Sequence, residues 1–413
     1  MNSSTVDLNF ADVANWGQDL NERLYWLCEN EPVYWSEKSQ LWILTGYDVC
    51  CEVSKNQAIF TSAHGVRPKQ DTVIGFIDEA EPRHGILRKM INKGFTPRMV
   101  KQLEEKFRLI TREAIDQFAS KGECDFVEAF SVPLPIRLIA HMMGIREEDR
   151  DRFHQWSDDL IAADGQQDKP EIMARSAKAF VEYSQYVSEI IEDRRQNPKE
   201  DLVSILTGAR DDGLLDKKFE GVRTLEGQAE ELQGMVNDEL LVLLLVIMVA
   251  GNETTRNGIS GGMQYLIQNP GERQKLIDNP ALIPAAVEEM VRIVTPVKSF
   301  SRSVLEDTEL RGHKIEKGQE VLIVYSAANH DARAFENPEE FRIDRNPAHI
   351  GFGIGSHFCM GANLARMEMR VAFEEILRRL PDMEFSRGGP EFRNSNLVRS
   401  CMHMWVKYTP ESA

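Results

Sequence analysis

The chain of 413 residues has little cysteine, and none of it is paired by spacing. Cys28, Cys50, Cys51, Cys124, Cys359 and Cys401 are scattered with no C-x-x-C among them. That excludes a zinc ribbon or a thioredoxin-like motif and fits a reducing compartment. Positive charge is also short: 49 Lys and Arg against 66 Asp and Glu give a formal net charge of −17. Such a surface repels phosphate backbones, so no nucleic-acid partner is expected. No apolar run reaches the ~20 residues of a membrane helix. The opening MNSSTVDLNFADVANWGQDL lacks the basic and apolar regions of a secretory signal, so no membrane anchor is expected. Internal repeats, low-complexity tracts and long Pro/Gly/Ser linkers are missing too. These absences predict one soluble, cytoplasmic domain over residues 1–413.

What is present is mainly α with a minor β part. Long segments such as RMVKQLEEKFRLITREAIDQFAS and ARSAKAFVEYSQYVSEIIEDRRQ carry helical spacing. Short strands are expected in SQLWILTGYD, in ELRGHKIEKGQEVLIVYS and in MHMWVKY. The most informative helix runs from Asn237 to Gln268, with Asn237 or Asp238 as N-cap and Asn269-Pro270 as its stop. At 1.5 Å per residue it would be on the order of 48 Å long. Its stretch Leu240–Ala250 is apolar all round, which predicts a buried central helix.

Inside that helix lies AGNETT, residues 250–255. Gly251 costs ~1 kcal/mol against Ala, and Glu253 and Thr254 bring polar groups to an apolar core. Two readings are open. In one the helix surfaces here, Glu253 is solvated and Thr254 bonds back to a carbonyl one turn earlier. In the other Gly251 opens a groove for a small ligand such as O2, beside which the acid and the alcohol relay protons.

Residues 351–366, GFGIGSHFCMGANLAR, place a lone cysteine in a glycine-rich loop leading into a helix expected over Asn363–Leu380. Backbone N–H groups and the positive helix end favour a thiolate at Cys359. Such donors also tune a thiolate bound to haem iron. The glycines would let backbone approach a flat macrocycle, and Phe352 would shield the sulfur. An isolated buried cysteine is more often an inert small hydrophobe; the surrounding pattern weighs against that here.

Phe352-x-x-Gly355-x-His357-x-Cys359-x-Gly361 resembles the haem-binding signature of the cytochrome P450 family. Ala250-Gly251-Asn252-Glu253-Thr254 resembles its oxygen-activation motif, and Glu289-Met290-Val291-Arg292 its E-x-x-R motif. The resemblance implies the helix-rich P450 fold around a buried haem b, with Cys359 as the iron's thiolate ligand. It also implies proton delivery by Glu253 and Thr254, and a buried Glu289/Arg292 pair supporting the haem loop. Either Arg342 or Arg345 would complete that pair. His84, Arg88, Arg302 and His357 match the clamps for the haem propionates. Glu79 and Glu81 stand where the family usually has an Asp, a departure that bears on the local turn.

The implied reaction is monooxygenation of a C–H bond by O2, with two electrons from NAD(P)H. No Rossmann fingerprint is evident in the chain, so a ferredoxin and its reductase are the implied donors. Arg88, Lys89, Lys93 and Arg98 form a candidate docking cluster on an acidic protein. Val66, Ile74, Ile247, Ala250, Val297, Phe300 and Leu397 are candidate pocket residues, apolar as a hydrophobic substrate requires. At finer grain the chain resembles bacterial sterol side-chain oxidases acting on cholesterol or cholest-4-en-3-one. Terpenoid or fatty-acid oxidation is the alternative, and a non-catalytic haem-thiolate sensor a further one.

Overall fold

The computed structural model describes residues 6–17, 19–70, 75–163, 169–211 and 239–411. Its helices are α1 (Leu20–Asn30), α2 (Tyr47–Lys55), α3 (Arg83–Ile91), α4 (Pro97–Asp116), α5 (Pro133–Met142), α6 (Arg150–Ala162) and α7 (Pro170–Gln196). They continue as α8 (Leu202–Asp211), α9 (Glu239–Gln268), α10 (Pro270–Asp278), α11 (Ile283–Val294), α12 (Tyr325–Ala328) and α13 (Ala362–Arg379). The helical spacing read from the sequence therefore holds, with boundaries moved by a few residues. Where caps exist the reason is local: Thr96 accepts the Met99 N–H at 3.3 Å, and Pro97 supplies the first helical φ of α4. The N-cap expected at Asn237 or Asp238 lies outside the described residues.

A five-stranded sheet has the order β1-β2-β8-β5-β3, built from β1 (Val33–Ser36), β2 (Leu41–Leu44), β3 (Phe60–Thr61), β5 (Ser299–Val304) and β8 (Glu320–Val324). Only the β2–β8 pairing is parallel; β5 lies antiparallel to both β8 and β3. The smaller pairings join β6 (Thr308–Leu310) to β7 (His313–Ile315) and β10 (Glu391–Arg393) to β11 (Ser400–His403). A three-stranded piece links β4 (Glu123–Asp125), β12 (Trp405–Lys407) and β9 (Glu384–Phe385).

Helix α9 is the central element. Leu240 to Leu244 belong to its buried face, as do Ile259, Met263 and Leu266, so both halves are core. The largest apolar cluster packs its second half against α4, α5, α11 and α13. A second cluster sets its first half against α5, α6 and α7. Gly261 and Gly262 permit this crowding: a Cβ there would meet Val294 Cγ1 at 2.6 Å and Phe373 Cζ at 2.7 Å. Among the described residues no helix is long and apolar enough to cross a membrane.

Candidate active site

Mid-way along α9 the burial breaks on one face. Ile247, Gly251 and Thr254 are partly accessible and Ala250 is exposed, whereas Met248, Asn252, Glu253 and Thr255 around them are buried. Accessibility in the middle of a central helix marks an internal concavity. Thr254 Oγ1 donates to the Ala250 carbonyl at 2.8 Å, as the back-bonded reading predicts, yet its side chain borders that concavity.

One expectation here needs correcting. Gly251 is partly accessible, and a Cβ on it would lie 2.9 Å from Ile139 Cδ1, so its bare side also admits close packing by α5. Glu253 is not solvated. It is buried, paired with Arg256 Nη2 at 2.6 Å, and accepts from Asn257 Nδ2 at 3.0 Å. Asn257 also accepts the Cys401 N–H at 2.9 Å, tying the acid to β11. The partners at i+3 and i+4 were visible as spacing but not singled out.

The Cys359 loop is held by a bond from the Cys359 N–H to the Phe352 carbonyl at 2.7 Å. Cys359 is exposed to a solvent-sized probe, yet protein crowds it closely enough that burial pushes its thiol up, against the Gly361 N–H, Arg88 and Arg366. The glycines of the loop are only partly explained by room for a flat ligand. At Gly355 (φ +82°) a Cβ would meet the Ser54 carbonyl oxygen at 2.7 Å, so this glycine is required by contact with α2. Gly361, by contrast, has only Cys359 Sγ within range, at 4.0 Å. Phe352 packs its ring under the Arg366 guanidinium, 4.5 Å away.

Beside the loop the structure gathers all four predicted clamps. His84 and His357 stack with centroids 4.0 Å apart and planes 21° apart. Arg302, buried on β5, and Arg88 both act on His357, which burial, Arg302, His84 and Arg88 push down to about 3. His84 Nδ1 meets Glu81 Oε1 at 2.9 Å, while its buried Nε2 has no partner. Glu81 also accepts the Gly85 N–H at 3.1 Å, so the turn before α3 is capped by the residue that departs from the family pattern. Clustered cationic and imidazole groups with one orphaned buried nitrogen suit a ligand carrying carboxylates. Together with a crowded thiol in a loop, they fit haem.

The supporting pair is fully buried. Arg292 Nε and Nη2 donate to the Glu289 carboxylate at 2.7 and 2.8 Å, and Nη1 donates to the carbonyls of Asn329 and Pro338 at 2.8 and 2.9 Å. Arg345 Nε reaches Glu289 Oε1 at 3.1 Å. Arg342 offers only its backbone N–H to Glu289, and its guanidinium turns toward Asp344. The open choice is settled in favour of Arg345.

Of the candidate pocket residues, Phe300 lies on β5, and Val66, Val297 and Leu397 border it. The Ser301 N–H donates to the Val66 carbonyl at 2.7 Å, Lys298 N–H to the Leu397 carbonyl at 2.8 Å, and Val297 bridges Val398. Phe300 lies on the same face of β5 as Arg302, its ring edge-on to Tyr325 at 6.0 Å. Ile74 lies outside the described residues. In the docking cluster Lys89, Lys93 and Arg98 are exposed, but Arg88 is half-buried and donates to the Phe358 carbonyl.

The family model for cytochrome P450 matches residues 29–381. This chain belongs to the cytochrome P450 family. It is 33% identical over 393 residues to a steroid C26-monooxygenase of Mycolicibacterium smegmatis, covering 95% of this chain and 93% of that one. Among solved structures, Bacillus megaterium CYP109E1 in complex with testosterone superposes with a TM-score of 0.80 at 31% identity, covering 94% and 98% of the two chains. Mycobacterium marinum CYP268A2 in complex with pseudoionone gives 0.83 at 31% identity, covering 98% of each. The protein is thus a P450 monooxygenase, a haem enzyme that uses O2, hydrophobic substrates and redox partners.

Proposed function

We propose that this P450 hydroxylates the side chain of a steroid such as cholesterol or cholest-4-en-3-one. The observation that carries the reading is identity of about a third, along nearly the whole chain, to enzymes named for steroid C26 oxidation. The apolar lining from Ile247, Ala250, Val297, Phe300 and Leu397 supports it, since such a wall binds a hydrophobic body and leaves orientation to few polar groups. The pseudoionone-bound neighbour supports a terpenoid as the second reading.

In this proposal the site holds haem b. Cys359 would ligate the iron, with the Gly361 N–H beside the sulfur, and His84, Arg88, Arg302 and His357 would receive the propionates. The haem, when bound, supplies O2 activation by a thiolate-ligated iron. Thr254 stands on the accessible face of α9 to hand on a proton. Glu253, one residue back and held by Arg256 and Asn257, would supply the carboxylate behind it in the proton path. Electrons come from NAD(P)H through a ferredoxin and its reductase, docking near Lys89, Lys93 and Arg98. The protein acts as one cytoplasmic domain.

The test is a titration of purified ferric protein with cholest-4-en-3-one, followed by visible absorption, beside a reduced-plus-CO spectrum. A thiolate-type CO band with a low-to-high-spin shift at low micromolar steroid supports the reading. A thiolate band with a response to terpenoids alone moves the substrate to the second reading. Haem-loaded protein without a thiolate band sinks the role of Cys359.

A further inference from the structure

Glu288 and Glu289 are consecutive on α11, yet they hold different partners. Glu289 holds Arg292 and Arg345. Glu288 holds Arg366, accepting from its Nε at 2.6 Å and its Nη2 at 2.8 Å. Glu288 also faces His349 Nε2 at 3.2 Å. His349 Nδ1 accepts the Gly351 N–H at 3.1 Å, which assigns the ring proton to Nε2 and makes His349 a donor to Glu288. Burial works against ionising Glu288, but His349 and Arg366 hold its carboxyl down to about 2, so the pair is charged across the working pH range.

Arg366 is the member that touches the cysteine loop. Its guanidinium lies over the Phe352 ring at 4.5 Å, and the Phe352 carbonyl accepts the Cys359 N–H. A cation close to the sulfur with a carboxylate behind it leaves a net positive field at the loop, because Coulomb energy falls with distance.

We propose that Arg366 and Glu288 are a charge pair that sets how strongly Cys359 donates to the haem iron, with Phe352 spacing the pair from the loop and His349 fixing its orientation. The inference rests on the reading of Cys359 as the iron ligand. Reducing the ferric site adds negative charge. The nearby cation therefore favours the reduced form, and the carboxylate opposes it.

The test is the ferric/ferrous potential of haem-loaded wild-type, Arg366→Met and Glu288→Gln proteins, measured by spectroelectrochemistry with a CO spectrum of each. The expected result is a negative shift for Arg366→Met and a positive shift for Glu288→Gln, with thiolate-type CO bands retained. Opposite signs distinguish a charge effect from loosening of the loop, which moves both variants the same way. Should Arg366→Met fail to hold haem, Arg366→Lys and Glu288→Gln carry the comparison: lysine keeps the charge and stays near the wild-type potential, while Glu288→Gln still rises. Unmoved or same-signed potentials with normal thiolate bands overturn the inference alone. A wild-type protein without a thiolate band overturns the Cys359 reading and this inference with it.

Discussion

Glu289 and Arg292, three residues apart on α11, have no solvent exposure and face each other through two hydrogen bonds. Removing one partner strands a charge in the core, which typically costs 3–5 kcal/mol. Arg292→Met is therefore expected to lower unfolding free energy by about that amount and to purify with little haem. Chemical denaturation and haem content check both. Wild-type stability with a full haem complement would contradict the structural role of the pair.

The two nearby arginines should behave differently. Arg345 donates to Glu289 and to the carbonyls of Asn337 and Glu340. The Arg342 side chain is exposed by 39%. Arg345→Met should destabilise by roughly 1–3 kcal/mol by leaving a buried acceptor short of a donor. Arg342→Met should stay within about 0.5 kcal/mol. Paired thermal or urea melts decide it, and equal losses would reverse the assignment.

Thr254 is the polar side chain on the accessible face of α9 beside Ala250. Replacing it with alanine should slow product formation on the order of 10²-fold, while NAD(P)H consumption falls much less. Thr254→Ser should restore most of the coupling. Product and cofactor turnover measured in the same reaction provide the check; an alanine variant as well coupled as wild type would remove Thr254 from the proton path.

Glu368 on α13 is 2% exposed, and one carboxyl oxygen has no partner. Burial raises its carboxyl from 4.5 to about 8, with Thr255 working weakly the other way. Between those values the folded protein keeps a proton that the unfolded chain releases, so this group's contribution to stability declines as pH rises from about 4.5 to about 8. At pH 7 the penalty is on the order of 3 kcal/mol. Glu368→Gln should remove that decline and be more stable than wild type near pH 8. Unfolding free energies across that range test it, and parallel curves for the two proteins would contradict it.

Motifs whose parts are close in sequence were legible: the Cys359 loop, the Glu289/Arg292 spacing, and the long helix with its proline stop. Local chemistry dictates those, so the sequence displays them. Arg342 and Arg345 could not be separated, because both lie within reach and only the folded path of 336–345 turns one inward. Gly251 told only part for a related reason: a missing Cβ announces close approach without saying of what, and here one neighbour is Ile139. The Glu288–His349–Arg366 contacts span 78 residues, and no local pattern announces them.

The adjacency of Glu288 and Glu289 also constrains how the gene can change. Successive helix positions are about 100° apart, so a one-residue insertion or deletion early in α11 would turn Glu288 away from Arg366 and, at the same time, the Glu289–Arg292 pair away from Arg345. Substitutions elsewhere in α11 can be absorbed one at a time. Such a shift in register would break the contacts to Arg366 and Arg345 in a single step, so length variation among relatives should gather in the connections and spare this helix.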